Sequence, residues 1–290
     1  MNLRKLLAFA AAGGLLAASA AAGPRLEMLV STGWLADHLN DRNVVVLHIA
    51  RDRAHYDAGH IPGACFVPWS ELMVTREGVP NELPPVADIK RLFERCGVSD
   101  YSRVVLYGDT LLLSATRAWF TLDYLGHGGH AALLDGGLEK WRAEQRPVSK
   151  EEPVARQGRL TPRIRPDAVV GLEQMRDLSR VAVNVPSSKV VILDSRSPAE
   201  FRKGHIPGAV NVFWPDTITS KEMPTLRPLA EVERIYQAAG VAHGRTIVAY
   251  CVAGVQATQT YFVLKYLGYD VRLYDGSFSE WSRAKDAPIQ

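Results

Sequence analysis

The segment "YDAGHIPGACFVPW" (Tyr56 to Trp69) returns later in the chain as "FRKGHIPGAVNVFW" (Phe201 to Trp214). Three more pairs occur in the same order. "RLFERCGV" (Arg91 to Val98) matches "RIYQAAGV" (Arg234 to Val241). "ATRAWFTLDYLG" (Ala115 to Gly126) matches "ATQTYFVLKYLG" (Ala257 to Gly268), and "LLDGGLEKW" (Leu133 to Trp141) matches "LYDGSFSEW" (Leu273 to Trp281). Repeated order with a slowly drifting offset is the mark of a duplicated domain with small loop insertions. A length of 290 residues accommodates two domains of ordinary size.

Each copy alternates strand and helix patterns. "VVVLHIA", "RVVLYG", "KVVILDS" and "TIVAYC" are short, apolar and rich in β-branched residues, as buried parallel strands are. "VADIKRLFERCG" and "LAEVERIYQAAG" have helical periodicity and end on a glycine suited to a helix C-cap. Ser197-Pro198-Ala199-Glu200 reads as an N-cap, a proline at the first helical position and a capping box. The expected fold is α/β, with a parallel sheet in each copy and helices on both faces. "VSKEEPVARQGRLTPRIRPD" (Val148 to Asp167) is charged, proline-bearing and aperiodic, and reads as an exposed connector. The expected domains are residues 24–148 and 166–290, joined by a linker over 149–165.

Hydrophobic residues make up 47% of the chain and charged residues 22%, which suits a chain with sizeable cores. A net charge of +3, with no basic run interleaved with aromatics, argues against nucleic acid as a partner. Residues 1–22 carry Arg4 and Lys5, an apolar run and two A-x-A sites, the plan of a cleaved signal peptide. The run is shorter than the roughly 20 residues that span a membrane. The mature chain is therefore expected to be periplasmic or secreted, with no stable membrane insertion. No paired C-x-x-C units, Walker lysine or G-x-G-x-x-G spacing occur, so neither a metal nor another cofactor is expected. Of the three cysteines, Cys65 and Cys96 could pair. Buried unpaired thiols are the commoner use, so no bridge is expected.

Cys251 stands where the strand "TIVAY" meets the helix pattern after it. Ligands in parallel α/β sheets sit beyond the carboxyl ends of the strands. The loop "CVAGVQA" can turn successive N–H groups inward as an anion-binding nest, beside the positive end of the next helix. A cysteine there is expected to have a lowered pKa and to act as a nucleophile. The alternative is a small core residue that ends a strand. Copy one argues against it: "LYGDTLLLSAT" puts Gly108 in the place of Cys251 and adds Asp109, so one copy looks competent and the other degenerate.

Together, both "GHIPGA" segments, "DSRSPAEF", the "C-x-x-G-V-x-A" loop and "YDGSFSEW" resemble the tandem-domain rhodaneses, or sulfurtransferases, over essentially the whole mature chain. The resemblance implies an inactive N-terminal domain and a catalytic C-terminal one. It implies that sulfane sulfur moves from a small anionic donor, through a persulfide on Cys251, to cyanide or a thiol. By position, the amides of Val252, Ala253, Gly254, Val255, Gln256 and Ala257 would cradle the persulfide and donor, and Arg196 would hold the donor anion. The other reading of Arg196 is an ion pair with Asp194 or Glu200. His60 and His205, Asp135 and Asp275, and Trp141 and Trp281 recur in both copies and read as fold support. Thiosulfate-preferring members often place basic residues after the cysteine, and mercaptopyruvate-preferring members a "C-G-S-G-V-T" loop. Val252, Ala253 and Gln256 match neither, with the overall shape nearer the mercaptopyruvate type. A cysteine phosphatase would need arginine at Ala257. A carrier fed by a partner protein is the remaining alternative. The expected partners are a small-molecule donor and acceptor, with the chain acting as a monomer.

Overall fold

The computed structural model describes residues 23–109, 112–154, 156–185 and 187–290; the signal sequence expected over 1–22 lies outside them. The first copy runs β1 (Leu29–Val30), α1 (Thr32–His38), β2 (Val44–Ala50), α2 (Arg53–Asp57), β3 (Cys65–Pro68), β4 (Val74–Arg76), β5 (Val79–Glu82), α3 (Val86–Arg95), β6 (Arg103–Gly108), α4 (Leu113–Tyr124), β7 (Ala131–Leu134) and α5 (Gly137–Ala143). The second runs β8 (Val169–Val170), α6 (Leu172–Asn184), β9 (Val190–Asp194), α7 (Pro198–Lys203), β10 (Ala209–Asn211), α8 (Leu229–Ala238), β11 (Thr246–Tyr250), α9 (Gln256–Tyr266), β12 (Val271–Tyr274) and α10 (Ser277–Trp281).

Each copy holds one five-stranded parallel sheet, ordered β1-β7-β6-β2-β3 in the first and β8-β12-β11-β9-β10 in the second. The same topology twice is what the repeat required. Helices cover both faces, so the central strands are buried over most of their length and carry apolar runs in place of alternation. The local stops fall as expected. Gly97 and Gly240 end their helices with φ of +86° and +84°, and Ser197 with Glu200 forms the capping box of α7.

The copies meet through α4 and α9. These helices are buried almost all round, as helices between two layers must be. Their contacts obey an approximate two-fold symmetry. Thr116 Oγ1 lies 3.1 Å from its counterpart, Thr258 Oγ1. Trp119 meets Phe262 edge-on at 5.1 Å, and the counterpart pair Phe120 and Tyr261 does the same at 5.1 Å. The Tyr261 hydroxyl donates to Asp123 across the junction at 2.7 Å.

One expectation about the fold needs correction. Cys65 and Cys96 form a disulfide, with Cα atoms 5.6 Å apart. It ties the edge strand β3 to the end of α3, a proximity that the linear sequence hides. The linker is mostly exposed, as expected, but it is anchored along its length. Leu160 is buried, the Gly158 amide donates to the Glu94 carbonyl at 2.7 Å, and the amides of Arg163 and Arg165 donate to the carbonyls of Leu125 and Tyr124. The linker's backbone is thereby laid along domain one. Among the described residues, no helix is long and apolar enough to cross a membrane.

Candidate active site

Cys251 follows β11 and precedes α9, at the carboxyl edge of the second sheet. The loop between them is held by Ser277. Its Oγ accepts the Cys251 amide at 3.2 Å and the Gly254 amide at 3.0 Å, and donates to the Tyr274 carbonyl at 2.8 Å. Ser277 has φ of +52°, a conformation uncommon for serine, and copy one has Gly137 at the same place with φ of +57°. Copy two accepts that backbone geometry and gains a hydroxyl that fixes the loop. Gly254 has φ of +74°, and a Cβ there would lie 2.5 Å from the Asp275 carbonyl oxygen, so only glycine fits.

The thiol is 1% exposed. Burial pushes its pKa up, and the backbone amides of Ala257, Ala253 and Gln256 pull the other way without overcoming it. The single Ser277 proton is directed at Tyr274, so the opposing pull rests on the three amides. The lowered pKa expected from the loop pattern is thus not found, because desolvation by the surrounding fold outweighs the nest. Of the loop read as a cradle, Ala253, Gln256 and Ala257 turn amides to the sulfur. The Gly254 amide is committed to Ser277, and Val252 is 40% exposed.

A cavity of about 480 Å³ opens at the sulfur. Cys251, Ala253, Val255 and Gln256 line it from the second domain. Arg51, Trp69, Ser70, Met73, Asn81 and Leu113 line it from the first. The site is therefore built between the copies. Arg51 is the one charged side chain in that lining, and its guanidinium lies 4.5 Å from the centre of the Trp69 ring. The Trp69 indole nitrogen and Gln256 Oε1 are buried with no hydrogen-bond partner among the described residues. Buried polar atoms without partners are costly unless something else pairs with them.

Arg196 is not in this lining. Its Nε and Nη2 clasp Asp194 at 3.0 and 2.5 Å, Nη2 also donates to the Gly204 carbonyl at 2.8 Å, and its guanidinium stacks on Phe278. Both partners of the ion pair are buried. The cation that lines the cavity is Arg51 and not Arg196, and the reason lies in register. Asp194 pairs with Tyr250 across its sheet, and in copy one the residue paired with Tyr107 is His48. Counted back from the helix N-caps Asp52 and Ser197, Arg51 is the counterpart of Arg196. Copy one thus has one extra residue before its cap and no carboxylate to clasp the arginine. Arg51 swings free toward Trp69.

Copy one has no room for a side chain at the matching position. A Cβ on Gly108 would lie 2.2 Å from the Ile49 carbonyl oxygen and 2.3 Å from Ser114 Oγ. Asp109 beside it is engaged by His55 at 3.0 Å and His48 at 3.6 Å. The repeated histidines are elsewhere: His60 stacks on Tyr56 and His205 on Phe201, at 3.7 and 3.8 Å. Trp141 and Trp281 each donate to a proline carbonyl near the end of their domain, Pro147 and Pro288. Among the described residues, no group of three His, Cys, Asp or Glu side chains could hold a metal ion.

Two matching α/β halves that share a single thiol at their junction define the class. A rhodanese-like domain profile matches residues 31–144 and again 178–284. The sulfur carrier protein TtuD of Thermus thermophilus is 34% identical over 284 residues, covering 91% of this chain and 96% of that protein. A thiosulfate sulfurtransferase of Corynebacterium glutamicum is 32% identical over 282 residues, covering 91% and 90%. The crystal structure of SseA from Escherichia coli, described as a 3-mercaptopyruvate sulfotransferase, superposes with a TM-score of 0.75 at 28% identity, covering 87% of this chain and 99% of that one. The chain belongs to the rhodanese family of sulfurtransferases, as a tandem of two rhodanese-like domains.

Proposed function

We propose that the protein transfers sulfane sulfur from a small anionic donor to a thiophilic acceptor through a persulfide on Cys251. The observation that carries this reading is the placement of the one free cysteine among the described residues at the floor of a cavity with a single cation. The Cys251 thiolate attacks the terminal sulfur of the donor. The bond from that sulfur to the rest of the donor breaks, and its electron pair leaves with sulfite or with the enolate of pyruvate. The amides of Ala253, Gln256 and Ala257 stabilise the resulting Cys–S–S⁻. Cyanide or a thiolate then takes the outer sulfur and returns the Cys251 thiolate.

The residues lining the cavity support a reading of 3-mercaptopyruvate, over thiosulfate, as the donor. Arg51 offers one positive charge, a match for one carboxylate. Trp69, Met73, Leu113 and Val255 supply apolar walls for carbon. A doubly charged sulfonate-like donor would find no second cation among the residues lining the cavity. Measuring kcat/KM for both donors with one acceptor tests this; a higher value for thiosulfate would reverse the assignment. The carrier reading draws on the name of the Thermus relative. Steady-state turnover separates the two, because a carrier is loaded once and stops.

Export to the periplasm or the exterior is part of the proposal. The Cys65–Cys96 bridge supports an oxidising compartment. An N-terminus mapped on protein from the native host would test it, with cleavage near Gly23 expected and an intact Met1 contrary.

A further inference from the structure

The approximate two-fold symmetry of the domain junction breaks at one place. On the catalytic side, Asp275 accepts the Leu83 amide at 2.8 Å; on the other side, its counterpart Asp135 accepts the Leu226 amide at 3.2 Å. These contacts are matched, but the arginine that meets Asp275 has no match. Arg117, fully buried on α4, donates through Nη1 to Asp275 at 2.6 Å and through Nη2 to the Asn81 carbonyl at 2.7 Å. Its counterpart on α9 is Gln259, which donates to Thr217 and does not reach Asp135. Among the described residues, Asp135 has only Lys140, at 3.7 Å, as an ionic partner.

The clamp touches the nucleophile's loop at two points. Asp275 packs directly against Gly254, where a Cβ would come within 2.8 Å of its carboxylate. Asn81, whose carbonyl Arg117 holds, donates through its side-chain amide to the Ala253 carbonyl at 3.2 Å. Asn81 has φ of +63° and lies within β5, where the pairing with β4 shifts register. Arg283 of the second domain bonds the Gly78 carbonyl at the hairpin's tip. One guanidinium therefore joins the hairpin, the carboxylate and the Cys251 loop.

We propose that Arg117 is a positioning residue for sulfur transfer, seating the β4–β5 hairpin of the N-terminal domain as the roof of the Cys251 cavity. This rests on Cys251 as the sulfur-accepting thiol. It gives the domain without a nucleophile a defined task. An ion pair at this depth is a weak contributor to net stability but a strong constraint on geometry, because a buried carboxylate without its partner is unfavourable. The fork of arginine, which serves Asp275 and Asn81 at once, has no equivalent in lysine.

The test uses the full chain and two readouts. One is the rate of Cys251 alkylation by iodoacetamide at fixed pH, which needs no sulfur chemistry. The other is KM for 3-mercaptopyruvate and thiosulfate. The variant R117M/D275N removes both charges and leaves no buried carboxylate. It should alkylate about tenfold faster or more and raise donor KM about tenfold, with a smaller change in kcat. R117K should fall between, and Q259M, at the matched position, should change neither readout. Unchanged alkylation and KM in folded R117M/D275N would overturn the proposal. Should that variant not fold, unchanged values in R117K would overturn it equally. A wild-type protein that forms no persulfide on Cys251 would instead remove the reading on which the proposal rests, while the alkylation contrast would still report on the roof.

Discussion

Replacing Arg51 with Ala and Arg196 with Ala should separate binding from folding. Arg51 is exposed and forms no ion pair among the described residues, so its removal should leave stability within about 0.5 kcal/mol. A charged hydrogen bond to the donor contributes about 1.5–3 kcal/mol when well shielded. Solvent at the cavity mouth weakens it, and about 1–2 kcal/mol is the better expectation. That is roughly a 5- to 30-fold loss in kcat/KM for the donor. Arg196 is the opposite case. Asp194 is fully buried, and removing its partner strands a carboxylate, at a cost of about 3–5 kcal/mol in stability. The assays are donor kinetics with a saturating acceptor, and urea unfolding of the same preparations. The reasoning fails if R51A keeps the wild-type donor kinetics, or if R196A is as stable as wild type and loses donor binding.

Further expectations rest on single contacts. Because burial holds the Cys251 thiol above the ordinary thiol range, its alkylation rate in the free protein should climb about tenfold per pH unit from about pH 6 to 8; a plateau below about pH 7 would show a thiolate already formed. Gly254→Ala should lose about 2–4 kcal/mol in urea unfolding, from left-handed backbone strain and the clash with Asp275. A loss under about 1 kcal/mol would mean that the loop moves freely. Reducing the Cys65–Cys96 bridge, which closes a separation of 31 residues, should cost about 3.7 kcal/mol by chain entropy. An unchanged urea midpoint in reductant would contradict that.

Much of this was legible in the residues alone, and the division follows the range of the forces. The duplication, the parallel strands and the capped α7 rest on apolar runs and turn residues that act locally. Cys251 stood out because Gly108 replaces it, and the space around Gly108 confirms that no side chain fits there. What escaped was set by the meeting of the two copies. Trp69 and Asn81 belong to the domain without the thiol, and a reading of each copy by itself could not carry them into the site. Arg51 was hidden by one extra residue before Asp52, visible only once the strands are registered through Tyr107 and Tyr250. "DSR" contained the clue to Arg196, since Asp194 lies two residues before it. Ser277 opposite Gly137 was another readable signal: a side chain placed where the backbone prefers none. The thiol's raised pKa depends on burial, which local pattern does not report.

The most direct measurement is intact-protein mass spectrometry after brief exposure to 3-mercaptopyruvate without acceptor. Addition of about 32 Da, mapped to the peptide holding Cys251 and lost on adding cyanide, is the predicted result. No adduct in wild type, or the same adduct in C251S, would contradict the account.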